Sequence, residues 1–475
     1  MRHLYESTLK RVFGYDSFRT GQHDIIHAVV EGHDVLAVMP TGAGKSLTFQ
    51  LPSYIKNKGL TVIVSPLLSL IEDQMQHIRA RGERGVARLT SMESAEEKQE
   101  IINQLKRYRF LYLSPEQLAV PYVTRALSNV SVQMLVIDEA HCISQWGHEF
   151  RPEYARLGEL RKQIGSPQCM AVTATAPENV KRDIIEKLAL FTPEQFVHSA
   201  NRPEIRLVVE RLDKERKLER LKELIQNIPK PAVVYTATRR EAEALAFELD
   251  DALFYHGGMS TEDRRLVQSQ FLRDEVSVMV CTSAFGMGVN KDNVRSVVHF
   301  QIPATVEAYM QEIGRAGRDG QPAFAILLYA EGDERIQQFL IDGQYPKDED
   351  VRMAYFESEN GTAITQLPRL LRMSEEESKF LLLKQLLTER SLQEALEWVK
   401  ERRRDRYRQL GQMMDYALIR TCRRDYLLRY FSEPTIEQEE CCDICGEIIY
   451  PETSTIVREN VTEWKIRLTQ IFSFE

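Results

Sequence analysis

Short apolar runs, rich in β-branched and aromatic residues, punctuate the first two thirds of the chain, each followed by a stretch with helical spacing. They are VLAV (35–38), TVIVSP (61–66), FLYLSP (110–115), MLVIDEAH (134–141), CMAVTAT (169–175), AVVYTA (232–237), VMVCTS (278–283), VRSVVHF (294–300) and FAILLYA (324–330). Continuous rather than alternating apolarity is what strands need when helices cover both faces of a parallel sheet, so the pattern predicts α/β architecture. The pattern restarts after residue 201, where NRPEIR reads as a connector and a second sheet is expected from about Ala232. Beyond Asp342 the strand runs cease. From Pro346 to Arg408 the chain is rich in Leu, Glu and Arg at helical spacing, which predicts an all-helical insertion or small domain.

At 475 residues the chain has room for two or three domains, each with its own core. No apolar run approaches the roughly 18 residues of a membrane span, and the opening MRHLYESTLKRVFGYD lacks the apolar centre of a signal peptide; no membrane partner and a cytoplasmic location are expected. Cys142, Cys169 and Cys281 are scattered, whereas Cys422, Cys441, Cys442 and Cys445 gather near the end, a clustering that points to metal rather than disulfides. The formal net charge of −8 argues against an obligate nucleic-acid binder, since such proteins often carry a basic surplus, but leaves room for a local basic cleft.

Candidate chemistry begins at MPTGAGKS, residues 39–46, between an apolar run and a helix-compatible segment. Small residues after Thr41, at Gly42, Ala43 and Gly44, let backbone N–H groups curl around phosphate oxygens where a helix dipole favours negative charge. Lys45 would reach the β- and γ-phosphates and Ser46 would hold Mg²⁺. The first position carries Met39 where the P-loop pattern has glycine, and a glycine-containing turn before a helix is the other reading of these residues. Asp138 and Glu139 follow the apolar strand run at 134–137, the end of a buried strand where ligands of open α/β sheets bind. With a P-loop upstream, Asp138 is assigned to Mg²⁺ and Glu139 to the attacking water; taken alone, the pair also reads as solvated strand-end acids. In QEIGRAGRDG, which opens with Gln311, the arginines Arg315 and Arg318 bring fixed positive charge to a glycine turn, suited to a γ-phosphate whose charge is redistributing. These residues belong to the second α/β unit, so they reach a nucleotide only when the two units close; a surface turn making ion pairs is the alternative.

The order of segments resembles the superfamily-2 helicases, and within them the RecQ family of DNA helicases in a short form, over most of residues 1–446. The resemblance is carried by LKRVFGYDSFRTGQHDII, TVIVSPLLSLIEDQ, LYLSPEQL, DEAH, TATA, VVYTATRREAE, YHGGMSTEDR, TSAFGMGVNK and QEIGRAGRDG, in that order. It implies two tandem RecA-like P-loop domains with parallel sheets, 1–201 and 202–341, a helical insertion at 342–404, a small helical zinc-binding module at 405–446 and a tail at 447–475. It places Tyr15, Arg19 and Gln22 around the adenine. AHCISQWGHEFRPEY (140–154) resembles the family's aromatic-rich loop, with Trp146, Phe150 and Arg151 coupling DNA to the ATP site. Aromatic rings among polar residues beside a metal-binding carboxylate can stack on an unpaired base; the same rings also read as core anchors.

EECCDICG departs from the family's zinc module. Glu439 stands where the first cysteine of the usual Cys-x-x-Cys-x-x-Cys spacing would be, and Cys441 lies beside Cys442. Cys422, Cys442 and Cys445 carry over, and Cys441 completes a four-thiolate Zn²⁺ site only if the local backbone rearranges; an unmetallated reduced cluster is the alternative. AITQLPRLLRMSEEESKFLLLKQL admits a helix-turn-helix capped by Ser374 or a helical spacer, and Glu375, Glu376 and Glu377 favour the spacer by repelling phosphate. The resemblance implies ATP, Mg²⁺ and Zn²⁺ as cofactors. The expected partners are single-stranded and duplex DNA, with single-strand-binding or repair proteins besides. The expected activity is 3′-to-5′ translocation and unwinding in recombination and repair, at the nucleoid if the source is bacterial. An RNA-dependent ATPase and a nucleic-acid-binding scaffold with an inactive ATP site are the competing expectations.

Overall fold

The computed structural model describes residues 2–144, 152–285, 291–363, 366–373, 377, 390–435 and 440–450. Its first sheet contains β1 (Val35–Val38), β2 (Leu60–Val64), β3 (Val86–Leu89), β4 (Phe110–Leu113), β5 (Val132–Ile137), β6 (Cys169–Thr173) and β7 (Glu194–Val197). All are parallel, in the order β3-β4-β2-β5-β6-β1-β7. Alternate side chains serve opposite faces. Leu36, Val62, Leu111, Leu135 and Ala171 enter one core, while Val35, Ala37, Ile63, Tyr112, Val136 and Val172 enter the other. A buried ion pair closes the sheet from below: Arg161 donates to both carboxylate oxygens of Asp34 at 2.9 and 2.8 Å, and Asp34 also accepts the Cys169 and Phe191 amides.

The second sheet contains β8 (Ile205–Arg211), β9 (Ala232–Tyr235), β10 (Ala252–Tyr255), β11 (Val278–Cys281), β12 (Ser296–His299) and β13 (Ala323–Tyr329), parallel in the order β10-β11-β9-β12-β13-β8. It begins at Ile205, not near Ala232, so the last two residues of NRPEIR are strand. The difference arises because β8 lies at the sheet edge. Its sequence, IRLVVER, carries Arg206, Glu210 and Arg211 instead of a continuous apolar run.

A 27-residue helix, Leu392–Leu418, opens with a reciprocal Ser391/Glu394 capping box. Its first half packs with Val351, Ala354 and Leu367 in a small helical core through Ala395, Leu396, Trp398 and Val399. Its second half places Met413, Tyr416 and Ala417 in the core of the second sheet, together with Leu427 of helix Arg423–Tyr430. The division expected at residues 404/405 thus falls inside one continuous helix. Ser374 and most of the expected helix-turn-helix lie outside the described residues. Among those described, no helix is long and apolar enough to cross a membrane.

Candidate active site and metal centre

Sheet order dictates which loops meet. β6 separates β1 from β5, so the loops after β1 and β5 emerge roughly 10 Å apart, a gap two side chains can span. The loop after β1 is the expected P-loop. Met39 is fully buried and its amide donates to the Thr173 carbonyl at 2.9 Å, extending the ladder to β6. The position that departs from the pattern is therefore a core residue and lies outside the phosphate cradle. Gly42 and Gly44 have φ of +86° and +78°, the left-handed region glycine tolerates. A Cβ on Gly44 would come within 2.5 Å of the Gln22 amide nitrogen. Helix Lys45–Lys56 starts with Gly44 at its N-cap and no side-chain cap, which leaves the cap position to an anion.

Lys45 Nζ lies 3.5 Å from Glu139 Oε1. Glu139 itself has φ +47°, an uncommon conformation for a residue with a side chain, and its amide donates to Asp138 Oδ1 at 3.0 Å. Burial, followed by repulsion from Glu139, pushes the Asp138 carboxyl up to about 7, against the opposing pull of Lys45. A carboxylate raised in this way favours a cation beside it. His141, buried, contacts Glu139 Oε2 at 3.3 Å and Thr173 Oγ1 at 2.9 Å, which ties the acidic pair to the TATA segment at the end of β6. The Tyr154 hydroxyl donates to the Asp138 carbonyl at 3.0 Å. Trp146, Phe150 and Arg151 lie outside the described residues.

The residues expected around the adenine support the P-loop from behind. Gln22 donates through Nε2 to the carbonyls of Ala43 (2.9 Å) and Gly44 (3.3 Å), and Arg19 donates to the Gly42 carbonyl. Tyr15 is 51% exposed in the same approach loop. From the second sheet, helix Val306–Ile313 carries Gln311 and delivers the turn with Arg315 and Arg318. This turn touches the P-loop directly: the Arg318 stem packs at Gly42, and a Cβ on Gly314 would come within 2.8 Å of Thr41 Oγ1. Burial, then the charge of Arg315, lower Arg318 to about 10. It stays protonated at neutral pH, and like charges crowded into a desolvated cleft favour an anion between them. One residue of the cleft belongs to the connector NRPEIR and is not expected there from sequence: Arg202, whose guanidinium donates to carbonyls on both sides. Its only sequence signal was an arginine beside the domain junction.

The four clustered cysteines meet. Their sulfurs all lie within 4.8 Å of one another, with Cys422–Cys441 and Cys442–Cys445 each at 3.5 Å. Four thiolates around tetrahedral zinc stand about 3.8 Å apart, so the set fits Zn²⁺ with no open position. The rearrangement that Cys441 needs is present: Glu440 takes φ +52°, and Cys441–Asp443 pair with the outer edge of β8, the Cys441 carbonyl accepting Leu207 N–H at 3.2 Å and Asp443 N–H donating to the Leu207 carbonyl at 3.0 Å. Without a metal the thiols divide: at Cys442 burial opposes ionisation, but backbone hydrogen bonds from Arg423, Ile444 and Cys445 outweigh it and lower the thiol. Burial raises Cys441 to about 11 and raises Cys445 as well, so the fit to zinc rests on the geometry of the four sulfurs.

Three family models match in tandem: DEAD/DEAH box helicase at residues 19–183, helicase conserved C-terminal domain at 216–320, and RecQ zinc-binding at 364–446. The chain is 48% identical over 342 residues to the probable ATP-dependent DNA helicase RecS of Bacillus subtilis, covering 71% of this chain and 69% of that protein. It is 35% identical over 456 residues to the ATP-dependent DNA helicase RecQ of the same organism, covering 94% and 67%. Among solved structures, Mss116p bound to ssRNA and AMP-PNP superposes with a TM-score of 0.58 at 17% identity over 90% of this chain and 88% of that one, a likeness of fold alone. With the P-loop, acidic pair and arginine turn assembled around one cleft and four cysteines gathered behind it, the chain belongs to the RecQ family of ATP-dependent DNA helicases.

Proposed function

We propose that the chain hydrolyses ATP in the cleft between its two sheets to translocate 3′ to 5′ on single-stranded DNA and to unwind duplex DNA, in recombination and repair. The observation that carries the ATP-driven motor is that both halves converge on one loop: Lys45 and Glu139 meet there from the first sheet, and from the second the turn that carries Arg315 packs Arg318 on Gly42 and Gly314 on Thr41. The DNA substrate, polarity and pathway rest on the family.

Lys45 neutralises the β- and γ-phosphates, exchanging its contact with Glu139 for one with the nucleotide. Glu139, released from Lys45 and still held by His141, orients the attacking water. Asp138 and Ser46 are the residues that would hold Mg²⁺, and their hard oxygen donors suit it. The ion would neutralise charge between the phosphates. Gln311, Arg315 and Arg318 complete the site only when the halves are together, so cleavage and the opening that follows it move one half against the other. Single-stranded DNA engages through Trp146, Phe150 and Arg151, between Glu139 and Tyr154 in sequence.

Strand displacement on partial duplexes with either a 3′ or a 5′ single-stranded tail, with and without ATP, tests the proposal. Displacement that needs ATP and the 3′ tail supports it; displacement without ATP, or from the 5′ tail alone, overturns it. Stronger stimulation of ATP hydrolysis by single-stranded RNA than by DNA would transfer the motor to RNA.

A further inference from the structure

The segment between β7 and β8, residues 198–204, is the covalent link between the halves, and its Arg202 side chain is only 11% exposed. The guanidinium donates through one terminal nitrogen to the Thr41 carbonyl at 3.2 Å and the Gly314 carbonyl at 3.1 Å. Through the other it donates to the Ala316 carbonyl at 2.9 Å, and its Nε meets Glu204 at 2.5 Å. Thr41 precedes the glycines of the P-loop, and Gly314 and Ala316 are the residues on either side of Arg315. One rigid planar group therefore joins the phosphate loop to the backbone that aims Arg315, with a fork of donors that lysine does not have.

The link is held in turn by the zinc module. Arg424, buried at the start of helix Arg423–Tyr430, donates to Asn201 Oδ1 at 2.8 Å, to the Arg202 carbonyl at 2.9 Å and to the Ile205 carbonyl. Glu433, just past that helix, accepts the Ala200 amide at 2.7 Å and the Ser199 hydroxyl. The segment is gripped at both ends by residues that follow Cys422. We propose that Arg202 is a positioning residue that sets the approach of Arg315 to the nucleotide, and that the zinc module holds Arg202 in place through Arg424 and Glu433.

This rests on the reading of Arg315 as a catalytic group, and a double-mutant cycle separates the two. Steady-state ATP hydrolysis with single-stranded DNA is measured on the full chain for Arg202→Ala, Arg202→Lys, Arg315→Ala and the Arg202→Ala/Arg315→Ala pair. Zinc content and thermal unfolding serve as the check on folding. Arg202→Ala is expected to lower kcat by about tenfold or more with KM for ATP changed less than about threefold, since the contact matters where Arg315 acts. In the Arg315→Ala background the same change is expected to cost less than about twofold. Equal losses in both backgrounds, or wild-type kcat in Arg202→Ala, overturn the proposal. Should Arg202→Ala fail to fold, Arg202→Lys, which keeps the charge, decides alone, with wild-type kcat as the overturning result. Undiminished turnover by Arg315→Ala overturns instead the catalytic reading on which the proposal stands. Arg424→Gln is expected to reproduce part of the Arg202→Ala loss at unchanged zinc content, and no loss removes the zinc module from the proposal.

Discussion

Lys45 and Asp138 show how much the cleft asks of single residues. Lys45 sits 3.5 Å from Glu139 at an uncapped helix start, so removing its charge leaves the P-loop backbone intact and the phosphates without their cation. Lys45→Ala is expected to abolish DNA-stimulated ATP hydrolysis while the thermal unfolding profile stays close to that of the parent; substantial turnover would refute its role. Asp138 gives a pH dependence with a definite sign. Its pKa is raised to about 7, whereas Mg²⁺ needs the ionised form. Affinity for Mg²⁺-nucleotide should therefore fall as pH drops below 7, by about tenfold per pH unit well below the pKa, with a proton released on binding. Calorimetric titrations in buffers of different ionisation enthalpy measure that proton directly, and none would be detected at pH 6.5 if Asp138 were an ordinary carboxylate. For folding the sign is opposite to that of a salt-bridged acid. The raised pKa makes the protein more stable below the unfolded carboxylate range and withdraws that stability as pH climbs towards 7.

Elements carry two further consequences. Asp34, at the base of β1, accepts hydrogen bonds from Arg161 and from two amides that anchor β6 and the approach to β7. Asp34→Ala leaves a buried guanidinium without its counter-charge and is expected to cost about 3–5 kcal/mol, read as a lowered midpoint in chemical unfolding. The zinc knuckle is a second case. Cys441 and Cys442 belong to the core of the second sheet and cover the free edge of β8, so the metal secures more than its own loop. Removing zinc with a chelator is expected to lower the unfolding temperature of the second motor domain along with that of the module, and Cys441→Ser should do the same. Zinc bound at full stoichiometry to Cys441→Ser, with unchanged stability, would take Cys441 out of the ligand set. Only the zinc site is partly legible in the sequence. Cysteine clustering marks a metal site, but the left-handed Glu440 that lets adjacent cysteines converge has no signature in spacing.

At the scale of the molecule, the two halves touch through several independent contacts. Arg318 packs on Gly42, Arg202 spans both loops, and Arg265 pairs with Glu72. The last pair is exposed on the arginine side, so its contribution is small and screened by salt. Arg265→Glu, which sets two acids against each other across the cleft, is expected to raise KM for ATP by no more than about fivefold at low salt, and the difference should vanish near 0.5 M salt. A loss that persists at high salt would mean that Arg265 acts by something other than charge across the cleft.

Buried parallel strands announce themselves as unbroken apolar runs, and phosphate loops, acidic strand ends and arginine turns occur in a recognisable order. For that reason the two α/β halves, their nucleotide chemistry and the cysteine-bearing module could be read from this chain before any fold was known. Those features are local, set by the period of the strand and the chemistry of a few neighbouring residues. Tertiary structure alone decided three others: that β8 is a strand, that the insertion and zinc module share one helix, and that Arg202 and Arg424 run from the metal site to the phosphate loop. Each depends on a partner distant in sequence. An edge strand is recognised by what covers it, and an arginine by which carbonyls surround it, and neither partner leaves a trace in the residues beside it.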